Sequence, residues 1–134
     1  MHELAPFPVS TIPSLGTPDV AHMREDIAGG MTTIGYRNGP LLTQWRTTDV
    51  AVRIALAPVD GKAEDVAIGR VPGLWLEGTA RGTFTLVGAD GTVHRERFEV
   101  GSGALLWRRG AMTFLLQRVA DKDDAVELAA ATAA

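Results

Sequence analysis

The chain of 134 residues contains no cysteine. That excludes disulfides, thiolate zinc sites, thiol nucleophiles and cysteine-held iron–sulfur clusters. Histidine is scarce: His2, His22 and His94 are the only three, and no two stand at the i, i+4 spacing of a helical zinc pair. Long apolar runs are missing too. The longest, Ile54 to Val59, is broken by Pro58, whereas a spanning helix takes about 20 apolar residues. No membrane-spanning helix is therefore expected. There is no surplus of base, since 13 Lys+Arg against 16 Asp+Glu give a net charge of -3. The compact basic clusters, His94-Arg95-Glu96-Arg97 and Arg108-Arg109, are short, and Glu96 interrupts the first. No nucleic-acid partner is expected from such a balance. The opening Met1-His2-Glu3-Leu4 lacks the basic and apolar regions of a signal peptide. Taken alone, that suggests either a cytoplasmic protein or a piece of a longer one.

Hydrophobic residues make up 46% of the chain, enough for one core at a length typical of one domain. Four of the seven prolines, Pro6, Pro8, Pro13 and Pro18, fall in the first 19 residues. Proline fixes φ and removes a donor, so residues 1–14 read as an extended lead-in to a domain over 15–134. From about residue 20 the apolar period is two. Met31 to Arg37 and Leu41 to Arg46 flank Asn38-Gly39-Pro40, a hairpin signal. Alternation puts Leu41, Thr43 and Trp45 on one face of the second strand and Leu42, Gln44 and Arg46 on the other.

Residues 49–70 admit two readings. Asp49 could cap a short helix, or the alternation of Val50, Val52, Ile54 and Leu56 could make a strand. Asp60-Gly61 marks a turn, Glu64 to Arg70 a strand, and Pro72-Gly73 a further break. Thr83 to Val87 and Thr92 to Val100 form a second hairpin around Ala89-Asp90-Gly91. Gly101-Ser102-Gly103 leads into Ala104 to Trp107, and Arg109-Gly110 turns into Ala111 to Gln117, with Met112, Phe114 and Leu116 on one face. Acidic residues followed by alanines predict a C-terminal helix over about 121–131. The fold class expected is α+β: a curved, half-barrel-like antiparallel sheet with a C-terminal helix and room for one more short helix.

No motif identifies a reaction. Ser10, Ser14 and Ser102 lie in no nucleophile elbow, and Gly101-Ser102-Gly103 precedes a strand, not a phosphate-binding helix. Glu25-Asp26 and Asp123-Asp124 are accounted for by a turn and a helix cap. No metal site and no cofactor are expected. His94 shares a strand face with Glu96, so a His–carboxylate pair with His94 or His22 as base would make a small enzyme. A solvated strand face accounts for the same residues. Trp45, Trp75 and Trp107 each fall in a strand. Trp75 opposes the Leu74/Leu76 face, so either both faces are covered or Trp75 lines a cavity. The candidate ligand-binding set is Trp45, Trp75, Trp107, Met112 and Phe114, for a hydrophobic small molecule, lipid or peptide, or a protein partner. Dimerisation through an exposed strand edge is a third reading.

The order Gly73-Leu-Trp-Leu-Glu-Gly78, a strand, Asp90-Gly91, Leu105-Leu-Trp-Arg-Arg-Gly110-Ala-Met-Thr-Phe-Leu-Leu116 and Asp123-Asp-Ala-Val-Glu-Leu-Ala129 closes the chain. With Leu15-Gly16-Thr17-Pro18-Asp19-Val20 and Ile34-Gly35-Tyr36-Arg37, it resembles an uncharacterised extracytoplasmic domain of bacterial anti-sigma-factor-like membrane proteins. That domain is remotely similar to the half-barrels of lipoprotein carriers and sigma regulators. The resemblance implies a non-enzymatic sensory or binding domain outside the membrane, tethered through a segment absent from this chain. A helix over 49–57 would fit the family pattern, and the alternation here departs from it.

Overall fold

Apolar residues at every second position make strands that are covered on at least one side, and here the strands dominate. The computed structural model describes residues 10–24, 30–37, 39–46, 52–88, 90–100, 103–110, 112–119 and 121–132. A 3-10 turn at Pro13–Leu15 precedes β1 (Val20–Arg24), β2 (Met31–Gly35), β3 (Leu41–Arg46), β4 (Val52–Ile68), β5 (Val71–Val87), β6 (Val93–Val100), β7 (Gly103–Arg109), β8 (Met112–Gln117) and α1 (Lys122–Ala130). Every pairing is antiparallel, in the order β1-β2-β3-β8-β7-β5-β4, with β6 also on β5. The fold is α+β, as expected, and the sheet does not close into a barrel. The Glu25-Asp26 turn, Asn38, the Asp49 cap, Gly101-Ser102 and the lead-in up to residue 9 lie outside the described residues.

Both expected hairpins form. Tyr36 N–H donates to Pro40 O at 3.0 Å across the β2–β3 turn. Thr92 N–H donates to the Asp90 carboxylate at 2.9 Å in the β5–β6 turn. The helix starts at its acidic cap, where Asp121 accepts from Asp123 N–H at 2.8 Å. The lead-in is more than a linker. Ser10 N–H donates to Gln44 Oε1 at 2.8 Å, and Gln44 Nε2 donates back to Ser10 O at 2.9 Å. Ile12 N–H donates to Tyr36 Oη at 2.8 Å, and Ile12 itself is fully buried.

Residues 52–87 correct the sequence reading. Asp60-Gly61 is no turn, and Pro72-Gly73 is no break. β4 and β5 are two 17-residue strands joined at Gly69-Arg70. Gly69 has φ +62° and Arg70 a negative φ, the sign pattern of a type II′ hairpin turn. Pro72 sits at the start of β5, before β7 begins to pair at Gly73, so its missing N–H breaks no bond to β7. Asp60 falls instead at a bulge, where the register shifts between Pro58 and Asp60 opposite Thr79 and Ala80. Gly78, beside it, takes φ +80°. A bulge facing a left-handed glycine bends the hairpin into a proximal and a distal half. β7 pairs the proximal half at Gly73–Glu77, and β6 pairs the distal half at Ala80–Val87.

The bend gives the sheet its curvature. Trp45 on β3 and Phe84 on distal β5 meet edge to face, with ring centroids 5.6 Å apart. Three strand steps separate β3 from β5, about 14 Å in a flat sheet. The distal half therefore folds back over one face of β3 and β8. Phe84 stacks in turn on Phe98, at 4.8 Å. Met31, Trp45, Leu76, Leu86, Ala104 and Leu115 form the buried cluster on this face. The opposite face holds the larger cluster and is covered by α1 and the lead-in.

Candidate functional site

Register builds the helix-covered face in rows. One row runs Thr32, Gln44, Phe114, Trp107, Gly73 across β2, β3, β8, β7 and β5. The next runs Ile34, Leu42, Leu116, Leu105, Trp75 and ends on Glu64 of β4. A third joins Arg46, Met112 and Arg109. Trp107 stacks on Phe114 at 5.1 Å and 15°, and the Arg109 guanidinium lies 5.5 Å from the Phe114 ring centroid. Four of the five candidate ligand-binding residues, Trp75, Trp107, Met112 and Phe114, thus share this face.

The fifth does not. Trp45 pairs with Thr113 and joins Leu115 on the opposite face, against Phe84. Alternation within single strands does not decide whether the five share a face, and the β3–β8 register separates Trp45 from the other four. Of the alternatives for Trp75, the first holds, because both faces of proximal β5 are covered around it. Trp45, Trp75, Trp107 and Phe114 are each at most 2% exposed, and Met112 is half-buried.

The polar atoms of this face set it apart. Gln44 is fully buried, but its amide is satisfied by Ser10. Thr32 Oγ1, Trp75 Nε1 and Trp107 Nε1 are buried with no hydrogen-bond partner among the described residues. All three belong to the helix-covered face, two of them in one row. Such orphans are uncommon in folded proteins.

α1 lies over the β7–β5–β4 side of this face, the side of Trp107 and Trp75, and touches β4 and β7. It turns Ala125 and Ala129 to the sheet, both fully buried. Small residues let the helix backbone sit close to the indoles. Each end has one described tie. Lys122 Nζ meets Glu64 Oε2 at 2.5 Å, and Arg109 Nη2 donates to Thr132 O at 3.1 Å. The bond to Glu64 and its charge raise the Lys122 pKa above its ordinary value. Sequence reasoning missed Thr32, Gln44, Arg109 and Glu64. Their face follows from strand alternation, but their neighbours follow only from register.

The His–carboxylate pair is not assembled as a cleft. His22 on β1 and His94 on β6 are both exposed, on strands far apart in the sheet order. Glu96 shares the His94 face by alternation and is exposed as well. Among the described residues no three His, Asp or Glu side chains could hold one metal ion, and no helix is long and apolar enough to cross a membrane.

A cavity of about 600 Å³ lies elsewhere, lined by Arg81, Gly82, Thr83, Arg97, Phe98 and Glu99 on distal β5 and β6. None of the candidate site residues lines it. No family model, curated protein or solved structure matches the chain.

Proposed function

We propose that this chain is a non-enzymatic sensory or binding domain that takes a hydrophobic ligand or partner between α1 and the sheet. The observation that carries the reading is the group of three buried, unpartnered polar atoms on one face: Thr32 Oγ1, Trp75 Nε1 and Trp107 Nε1. Each such atom costs about 1–3 kcal/mol when left unpaired. An occupant under α1 with an apolar body and a few acceptors, such as a lipid ester or a hydrophobic peptide, would satisfy the two indole N–H groups while keeping water out. The helix above them is tied by one partly exposed ion pair and one hydrogen bond, which suits a cover that can lift. The resemblance to anti-sigma-factor-like proteins supports a regulatory setting outside the membrane, with the tether in a segment beyond this sequence.

The test titrates the purified chain with phospholipid vesicles and with hydrophobic peptides, following tryptophan emission and amide exchange in α1. Binding at this face shifts the emission of Trp75 and Trp107 and changes α1 exchange, and Trp107→Phe weakens the emission response. No change in emission or in α1 exchange with any of these probes overturns the reading.

A further inference from the structure

We propose a second, separate site: the groove on distal β5 and β6 binds a phosphate group. Register sets its donors on one face of the ribbon. Arg81 stands opposite Glu99, and Thr83 stands opposite Arg97 one pleat further on. Arg81 and Arg97 are therefore diagonal neighbours, within reach of one ligand about 7–8 Å across between their Cα atoms. Thr83 shares their face, next after Arg81 along β5 and directly across from Arg97. Two guanidiniums and a hydroxyl lining one groove match the oxygens of a phosphate better than any neutral group.

The cavity they line has a volume of about 600 Å³, within the range that holds a small ligand. It takes a phosphate together with the organic part that carries it. Local charge favours an anion although the chain as a whole is at -3. Arg81 and Arg97 face one carboxylate in the lining, Glu99. That carboxylate holds Arg81 only loosely, at 3.9 Å between Nε and Oε1, with both side chains about 70% exposed. An ion pair so exposed and so long contributes little, so a dianion can displace Glu99 from Arg81. Arg97 has no carboxylate partner among the described residues. α1 packs mainly on β4 and β7, and Arg81, Arg97 and Glu99 are exposed.

The phosphate could arrive on a soluble phosphomonoester or on a lipid headgroup, and the experiment separates the two. Glycerol phosphate is titrated into the chain while the amide shifts of residues 81–83 and 97–99 are followed by NMR. Vesicles of phosphatidylglycerol and of phosphatidylcholine are compared by co-sedimentation. In the first case glycerol phosphate shifts those amides at low salt. In the second, only the anionic vesicles carry the chain down. The double variant Arg81→Met, Arg97→Met loses at least tenfold in either affinity. Should that variant fail to fold, Glu99→Gln decides, because removing the competing carboxylate tightens binding severalfold. Two results overturn the site: neither anion engages residues 81–83 and 97–99, or binding is unchanged in both the arginine and the Glu99→Gln variants. Emission changes at Trp75 and Trp107 report the face under α1, so either site can fail alone.

Discussion

Close packing at single positions decides how near α1 and the C-terminal segment can come to the sheet. Gly103 shows this best. A Cβ placed there would lie 2.4 Å from Val119 O and 2.6 Å from Trp75 Cη2. The first contact is with backbone and cannot be relieved by a rotamer change. The second is with a buried indole held in the row that ends on Glu64. The Gly103 carbonyl also accepts from Arg118 N–H at 3.1 Å, which fixes the backbone it would need to move. Gly103→Ala should therefore destabilise the chain by about 2–3 kcal/mol, as overpacked cores do. Urea unfolding checks it, and a loss below about 0.5 kcal/mol, the scale of an ordinary surface substitution, would refute the close approach.

At the scale of elements, α1 is fastened by a titrating group. Lys122 is raised above its ordinary value of 10.5, first by the hydrogen bond to Glu64 and then by its charge. A raised lysine contributes stability that is fully present below its unfolded value and is lost as pH climbs through the folded one. Lys122→Met should thus be less stable than the parent at neutral pH, and the gap should close above pH 10.5. A gap that stays constant with pH would assign the effect to packing of the lysine stem instead. The elements differ in how readily the sequence discloses them. The β2–β3 turn at Gly39 and the start of the helix use residues whose local chemistry has one ready outcome, and both sit where expected, although the cap is Asp121 and Asp123-Asp124 fall in the first turn. Asp60-Gly61 and Pro72-Gly73 misled because glycine and proline punctuate turns, bulges and strand starts alike. The true turn, Gly69-Arg70, carries a weaker signal than either neighbour. Site residues fared in the same way. Alternation places Met112 and Phe114 together within β8, but whether Trp45 joins them depends on register across two strands far apart in sequence. No local pattern encodes that.

The whole molecule is organised by the bend at Gly78 and the Pro58/Asp60 bulge, because two parts of one sheet then cover each other. Trp45 stands at the closure. It is 2% exposed, lies against Phe84 of the distal half and shares a cluster with Leu115 of the proximal sheet. Removing it opens a cavity between the two halves. Trp45→Ala should cost about 3–5 kcal/mol, and where that loss appears is more telling than its size. The distal ribbon of β5 and β6 has no helix on it, and its described buried contacts to the rest run through this cluster. β3, β8 and β7 keep the opposite face, with Trp107, Phe114 and α1, intact. Amide exchange should then accelerate in residues 80–87 and 93–100 before it does in 112–117. Uniform acceleration across both halves would mean that they unfold as one unit. Trp45→Phe, which retains an aromatic edge toward Phe84, should restore much of the difference.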